Sequence, residues 1–149
     1  MDAWEVEARV EIAALVVAYN ALGDRGRFDE LLALFADDAT MDIGDGTTYE
    51  GRDGIERIFT GTRDSVRDGS GPAFLQHHTT PVHVAFDGPD AASGDAYFTV
   101  MSDVDIDHWG RYRDTYLRID GTWLFGSRRV RVDGRTPGGW ADQRPGSGS

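Results

Sequence analysis

The stretch YNALGDRGRFDELLALFADDATMD, residues 19–42, carries the strongest structural signal of this chain. It contains the end of a helix, a tight Gly/Asp turn, a short amphipathic helix and an acidic entry into a strand. Gly23 stands where a helix C-cap glycine belongs, so a first helix over about residues 3–22 is predicted to end there. Tyr19 and Asp24 lie on either side of this helix end, a spacing that can direct a phenol and a carboxylate into one cavity.

Three helices are predicted in the first half of the chain. Asp2 is a candidate N-cap for the first helix, in which apolar residues recur at helical spacing. These residues are Val6, Val10, Ala13, Val17 and Ala21. The apolar residues of a second, short helix are Phe28, Leu31, Leu32 and Phe35. A third helix is predicted from Asp53 to about Val66.

The second half of the chain is rich in strand-forming residues. Short strands are expected at residues 39–43 and 47–50, and four longer runs follow at residues 74–86, 91–104, 108–119 and 122–132. The turn sequences FDGPD, SDVDID and IDG separate these runs, and the acidic SDVDID is interpreted as a solvated hairpin. Helices first and a meander of antiparallel strands later predict an α+β domain, with the helices on one face of a curved sheet.

Composition sets the class of protein. A length of 149 residues fits one domain, placed at residues 1–134, followed by a Gly/Pro/Ser-rich tail, residues 135–149, with a flexible end. The absence of cysteine removes disulfides and thiolate nucleophiles, and the net charge of −11 disfavours nucleic acid. The longest near-apolar stretch, Ile12–Ala18, is too short to cross a membrane, and the acidic N-terminus is unlike a secretory signal. A cytoplasmic location is therefore expected.

Four segments, in this order, resemble the SnoaL-like branch of the nuclear transport factor 2-like superfamily. They are FDELLALFADDATMD, YEGRDGIERIF, LQHHTTPVHVAFDGPDAA and GRYRDTYLRIDGTWLFGSRRV. The resemblance covers roughly residues 8–132. It implies a cone-shaped α+β barrel, in which a curved, mostly antiparallel sheet wraps around about three N-terminal helices and encloses a pocket for an apolar molecule.

The resemblance also implies a chemistry. Scytalone dehydratase, lindane dehydrochlorinase and bile-acid 7α-dehydratase are similar in outline, and they remove a proton from carbon with a histidine that is paired with an aspartate. The matching catalytic residues here are Asp24, His77, Tyr19 and Arg129. His78 and Arg128 are the alternatives for the histidine and the arginine. Asp24 would orient His77, and Tyr19 and Arg129 would stabilise developing negative charge.

The chain departs from three residue patterns of the superfamily, and the first two weaken the isomerase and epoxide hydrolase alternatives. Ile43 stands where ketosteroid isomerases carry the base aspartate, and Asp42 would point to the opposite face of the strand. Limonene epoxide hydrolases carry an Arg-x-Asp strand motif, whereas the strand here reads Arg113-Asp114. The second catalytic histidine of scytalone dehydratase has no clear counterpart.

An Asp24–His77 pair suits proton abstraction on chemical grounds. A neutral imidazole can accept a proton near pH 7, and a carboxylate on the other ring nitrogen fixes the tautomer and stabilises the imidazolium. The structural alternative is that Asp24 only caps the second helix or closes the turn, and that His77 is an ordinary strand histidine. Adjacent His77 and His78 point to opposite faces of a strand and cannot share a metal ion without a bulge, so no metal site is predicted.

The face of the strand on which His77 lies depends on Pro81. Without an irregularity near Pro81, His77 shares a face with His83, and His78 shares one with Val82 and Val84. Because Pro81 cannot donate a ladder hydrogen bond, a local irregularity is expected there, and His77 is predicted to face the cavity within hydrogen-bond distance of Asp24.

The preferred function is a cofactor-independent lyase or isomerase, most like a dehydratase, acting on a small apolar or polycyclic organic substrate. The alternative is a non-catalytic binding or assembly module of the same fold. His78, Tyr112 and Trp140 are the candidate substrate-binding residues; Trp140 is a lone indole in a Gly-rich segment. A homodimer or homotrimer is expected, because a broad sheet face is left uncovered. No membrane or nucleic-acid partner is predicted.

Overall fold

The computed structural model describes residues 1–67 and 72–143. Its helices are α1 (Ala3–Asp24), α2 (Phe28–Leu32) and α3 (Gly51–Arg67). Its strands are β1 (Phe35–Asp42), β2 (Thr48–Glu50), β3 (Leu75–Thr79), β4 (His83–Phe86), β5 (Ala91–Ser102), β6 (Ile106–Ile119) and β7 (Thr122–Arg135). The final GSGS and the flexible end predicted for the tail lie outside the described residues. None of the described helices is long and apolar enough to cross a membrane.

These strands form one mixed sheet that curves around the helices. The strand order is β2-β1-β7-β6-β5-β3, and β4 also pairs with β5. Only the β1–β7 pairing is parallel; the other described pairings are antiparallel. Register shifts interrupt the β1–β7, β5–β6 and β6–β7 ladders, and such bulges bend long strands. Helix α1 lies against β3 and β7, and α3 lies against β1. The predicted α+β cone is confirmed.

Helix α1 buries a different stripe from the predicted one. Val6, Val10 and Val17 are at least half exposed. The residues buried against the sheet are Ala8, Ile12, Leu15, Val16, Tyr19 and Asn20. The helix has apolar residues on two faces, and the larger side chains on the second face bury more apolar surface than the valines would. The prediction of a helix was right, and the prediction of its inner face was wrong.

The first strand begins earlier than predicted. Helix α2 ends at Leu32, so Phe35 belongs to β1 and not to the second helix. The Leu34 carbonyl accepts a hydrogen bond from the Phe125 N–H, at 2.9 Å, and the Phe35 ring stacks on the Phe125 ring at 5.1 Å. Pairing with β7 therefore overrides the local helical pattern of this segment.

The acidic turn before β6 is not a solvated hairpin throughout. Asp107 is 3% exposed, and its carboxylate accepts hydrogen bonds from the N–H groups of Trp140 and Ala141, at 2.7 and 3.1 Å. The same carboxylate lies 2.7 Å from Nδ1 of His108. Trp140 is buried as well, and its indole donates to Ser65 of α3. Asp107 thus anchors the segment after β7, which packs on the barrel.

We predict that Asp107→Ala detaches this anchor. Two backbone donors and a buried imidazole lose this acceptor, which costs about 2–4 kcal/mol of unfolding free energy. Hydrogen exchange at the amides of Trp140 and Ala141 would accelerate far more than at β6 and β7. Asp105→Ala, at an exposed position of the same turn, is the matched control. Unchanged protection of Trp140 in Asp107→Ala would contradict the anchoring role.

Asp42 forms an ion pair on the outer face of the sheet. Arg131 donates to both oxygens of Asp42, at 3.0 and 2.8 Å, and Arg129 lies 3.7 Å away. The hydrogen bonds from Arg131, followed by that from the Gly44 N–H, lower the pKa of Asp42 to about 2. Asp42 therefore points away from the cavity, as its position one residue before Ile43 predicts.

This pKa gives a prediction about acid stability. A carboxylate whose pKa is depressed in the folded state stabilises the fold above its unfolded pKa of 3.8, and that contribution disappears as the pH falls towards 2. Because the pair is about a third exposed, solvent screening leaves about 1 kcal/mol at pH 7. Urea unfolding should show this loss in Asp42→Asn at pH 7 and almost none near pH 2. Equal losses at both pH values would refute the linkage; Asp38→Asn, at an exposed position of the same strand, is the control.

Candidate active site

The end of α1 is attached to β3 by two side-chain contacts. Asp24 meets His77, and Asn20, one helical turn earlier, donates from Nδ2 to Oγ1 of Thr79. His77 and Thr79 are two residues apart and therefore lie on one face of the strand. Residues 20 and 24 lie on one face of the helix. The contacts align these two faces and place Asp24 and His77 at the cavity.

Asp24 uses both carboxylate oxygens on His77. Its Oδ1 lies 2.7 Å from Nδ1 of the imidazole, and its Oδ2 accepts the backbone N–H of His77 at 2.9 Å. An ionised carboxylate only accepts hydrogen bonds, so it favours the tautomer with the proton on Nδ1, in which Nε2 of a neutral imidazole presents a lone pair. The side chains of His77 and Asp24 are 17% and 20% exposed. The imidazole is thus held in one tautomer and one orientation, and ligands can still reach it.

An extra residue near Pro81 sets which histidine faces inward. In β3 the odd-numbered residues, including His77, face inward. In β4 the buried residue is the even-numbered Val84. Thr79 pairs with Phe98 of β5, and His83 pairs with Asp95 of β5. The four residue steps from Thr79 to His83 therefore lie opposite only three residue steps on β5. The predicted irregularity at Pro81 is therefore present. His78 is exposed on the outer side, where its Nε2 meets Gln76.

A cavity of about 230 Å³ lies beside this pair. Tyr19, Asn20, Asp24 and His77 are among its lining residues. Its apolar wall consists of Phe28, Phe59, Phe74, Leu75 and Ala73. An apolar cavity with a few polar groups is the usual form of a small-molecule site. The wall suits a ring system. The end of α1 contributes polar groups to the cavity, and so do Thr62 and Arg63 of α3.

Behind Tyr19 lies a buried arginine. The Arg128 guanidinium stands 4.2 Å from the ring centre of Tyr19 and 3.8 Å from that of Tyr112. Asp114 receives two hydrogen bonds from it, each 2.8 Å long, and a third from Tyr116. Burial alone lowers the pKa of Arg128, but the charge and hydrogen bonds of Asp114 outweigh burial and raise it. Arg128 therefore remains cationic.

The two phenols beside Arg128 stay protonated at neutral pH. Burial raises the pKa of Tyr19 and raises that of Tyr112 well above its usual value, although the Arg128 charge opposes both shifts. Tyr112 Oη and Arg128 Nη1 are buried and have no hydrogen-bond partner among the described residues. Tyr112 is thus not a wall of the cavity but part of a polar layer behind Tyr19.

Arg129 does not occupy the interior position predicted for it. Its side chain is 58% exposed and lies on the outer face with Arg111, Arg113 and Arg131, around a depression of about 180 Å³. The β6–β7 register shifts between residues 125 and 127, which leaves Gly126 unpaired and reverses the alternation after Phe125. Arg128, the alternative residue, is the inward one.

A second aspartate–histidine pair was missed from the sequence. His108 is fully buried, and His77 and His108 both pair with Val100 of β5, on its two sides. The two histidines are therefore two strands apart, about 10 Å between Cα atoms. The sequence signal was the Asp107-His108 dipeptide. In a regular strand, adjacent residues point to opposite faces, so a buried pair at these two positions is not expected. The β5–β6 bulge turns both residues inward.

A depression of about 620 Å³ lies elsewhere, along the acidic turn and the segment after β7. Trp140 contributes to this groove and not to the cavity beside His77. Its ring centre is 6.0 Å from that of His108, so it closes the interior from that side. The cavity beside His77 is the better candidate, since it contains an oriented base next to an apolar wall and this groove does not.

A sequence profile described as the SnoaL-like domain matches residues 4–129 of the chain. A search of curated proteins by sequence returned no match.

Solved structures with the same fold were found as well. A putative scytalone dehydratase from Novosphingobium aromaticivorans is 22% identical, with a TM-score of 0.77 over 91% of each chain. A hexachlorocyclohexane dehydrochlorinase from Novosphingobium barchaimii is 19% identical, with a TM-score of 0.76 over 91% of this chain and 93% of the other. A nuclear transport factor 2-like protein with a cystatin-like fold, from Novosphingobium aromaticivorans, is 23% identical, with a TM-score of 0.75 over 93% and 90%. At these identities the likeness establishes the fold alone.

Proposed function

This chain belongs to the SnoaL-like domain family, and from that premise we propose that it is a cofactor-independent lyase of the dehydratase type. The observation that carries the proposal is the 2.7 Å contact between Asp24 and Nδ1 of His77, at the edge of an apolar cavity. Two structures of the same fold, described as a putative scytalone dehydratase and a dehydrochlorinase, support the same reaction class.

In the proposed reaction, Nε2 of His77 removes a proton from a carbon that a neighbouring carbonyl makes acidic. The electron pair released from the C–H bond forms a carbon–carbon double bond and expels the leaving group from the adjacent carbon. The imidazolium, stabilised by Asp24, returns the proton to the departing group, so a leaving hydroxide departs as water. No net proton or electron is gained or lost.

The roles of the other residues follow from their places. Tyr19 lines the cavity, and its phenol would donate a hydrogen bond to a developing oxyanion. The charge of Arg128 stabilises that oxyanion from behind Tyr19, in the role first assigned to Arg129. Tyr112 supports this layer. His78 and Trp140 take no part in the proposed reaction, because neither lines this cavity.

A β-hydroxy ketone of bicyclic size tests the proposal without knowledge of the natural substrate. We expect the protein to convert 3-hydroxy-1-tetralone into 1-naphthol and water, which naphthol fluorescence reports. We also expect it to catalyse deuterium uptake at the α-carbon of 1-tetralone in heavy water. If neither process exceeds the buffer rate, while both ketones bind, the chain is a non-catalytic binding module. A cytoplasmic location and self-association remain predictions; light scattering checks the second.

A further inference from the structure

The charged residues at the cavity beside His77 differ in sign from the molecule as a whole. Within the described residues, the charged side chains that line this cavity are Asp24, Arg25 and Arg63. Asp24 is engaged with the imidazole of His77, so the two arginines supply the remaining charge. The chain has a formal net charge of −11, yet arginines outnumber carboxylates here. A cleft lined by one sign of charge concentrates ligands of the opposite sign.

Arg63 lies at one end of the aromatic wall of the cavity. The ring centre of Tyr19 is 5.9 Å from that of Phe59, which is 5.8 Å from that of Phe28. The guanidinium carbon of Arg63 stands 5.6 Å from the ring centre of Phe28. Tyr19 is buried, whereas the side chain of Arg63 is 37% exposed, so the row of rings leads from the interior to the opening. A flat ligand along this row has one end near Tyr19 and the other near Arg63.

The two arginines have hydrogen-bond donors to spare. Nε of Arg63 lies 3.4 Å from the carboxylate of Asp64, whose side chain is 72% exposed, so this contact is long and solvated. Neither Nη atom of Arg63 has a partner among the described residues, and Arg25 makes no ion pair with any of them. Arg25 borders both the cavity and a wider depression of about 570 Å³ outside it. A free guanidinium fork matches the two oxygens of a carboxylate.

We propose that the substrate is a ring compound with a carboxylate at the end remote from the reacting carbon, and that Arg63 and Arg25 bind this carboxylate at the opening of the cavity. The inference rests on the proposed function, since it takes the cavity as the substrate site. Separation of the two ends suits the reaction, because a negative charge beside the C–H bond would oppose the negative charge that develops there. At the opening the carboxylate stays partly hydrated, so binding avoids most of the cost of burying an ion.

The test measures binding, so it does not depend on turnover. The probes are 2-naphthoate and 2-naphthamide, which share one ring system and nearly one shape, differ in charge and cannot undergo elimination. Calorimetry at pH 7 should give the acid a dissociation constant about fivefold to tenfold lower than that of the amide in the wild type. Arg63→Gln should remove most of this preference, and the double variant with Arg25→Gln should abolish it. Arg63→Lys keeps the charge and should retain most of it.

Arg27→Gln is the matched control. Arg27 is exposed two residues after Arg25, pairs with Glu30 and does not line the cavity. Its replacement changes the net charge of the molecule by the same amount as Arg25→Gln, so it should leave the preference for the acid unchanged. Because these arginines are exposed or partly exposed, each variant should fold, and thermal unfolding verifies this.

The outcomes separate the inference from the proposed function. Equal affinities of the two probes in the wild type, no binding of either, a preference that survives in the double variant, or an equal loss in Arg27→Gln would overturn the inference. A preference for the acid that is lost only with Arg63 and Arg25 supports it, even if 3-hydroxy-1-tetralone is not converted; the cavity then binds ring acids without the proposed reaction. Conversion of that ketone with no preference for the acid would leave the reaction standing and remove the carboxylate from the substrate.

Discussion

Replacing His77 with alanine is expected to lower the rate of elimination from 3-hydroxy-1-tetralone by about 10²–10⁴-fold. The side chain that would accept the proton is then absent, while the strand and the apolar wall remain. Asp24→Asn should reduce the rate by a similar order, because the amide can donate to Nδ1 and thereby favour the wrong tautomer. Initial rates at saturating ketone measure both effects.

Stability is the control for this experiment. The side chains of Asp24 and His77 are partly exposed, and an asparagine at residue 24 still has an oxygen to accept the His77 N–H. Midpoints of thermal unfolding should therefore stay within a few degrees of the wild type. His78→Ala, on the outer side of the same strand, should leave the rate unchanged. If His77→Ala retains the wild-type rate, His77 is not the base, and the second pair, Asp107 and His108, becomes the candidate to examine.

The second large effect concerns the fold. Asp114→Ala leaves the Arg128 cation buried without its counter-charge, and both side chains are at most 1% exposed. Breaking such a pair costs about 3–5 kcal/mol. For a chain of this length the midpoint of thermal unfolding should fall by roughly 10 °C. Chemical unfolding in urea measures the free energy directly.

Two further variants locate the origin of that loss. Tyr116→Phe removes one neutral donor to Asp114 and should cost only about 1 kcal/mol. The double variant Asp114→Leu with Arg128→Met replaces the pair by apolar side chains, so it should recover most of the stability lost in Asp114→Ala. A loss below about 1 kcal/mol in Asp114→Ala would mean that solvent reaches Arg128 and that the interior is not dry.

Much of the architecture could be predicted from the amino-acid sequence. The order of helices and strands is local information, since apolar period and the turn sequences each act within a few residues. The predicted C-cap at Gly23 was wrong: Gly23 lies within α1, and the positive-φ glycine after the helix is Gly26. The same local signals placed Asp24 at the end of α1, and Pro81 indicated the irregularity that turns His77 inward. The inner face of α1 could not be predicted, because two sets of apolar residues have helical spacing. One set includes Val6, Val10 and Val17, and the other includes Ile12 and Val16.

Only the tertiary structure decided which side chains of the long strands face the interior. One unpaired residue at Gly126 puts Arg128 inside and Arg129 outside, and a bulge at Asp107 turns both Asp107 and His108 inward. Alternation in a strand has a period of two, so a single extra residue reverses every side chain beyond it. Where that residue falls depends on the partner strand, which lies far away along the chain. The amino-acid sequence therefore determined the helices and strands and the place of Asp24 at the end of α1. Strand pairing determined which arginine and histidine side chains face the interior with it.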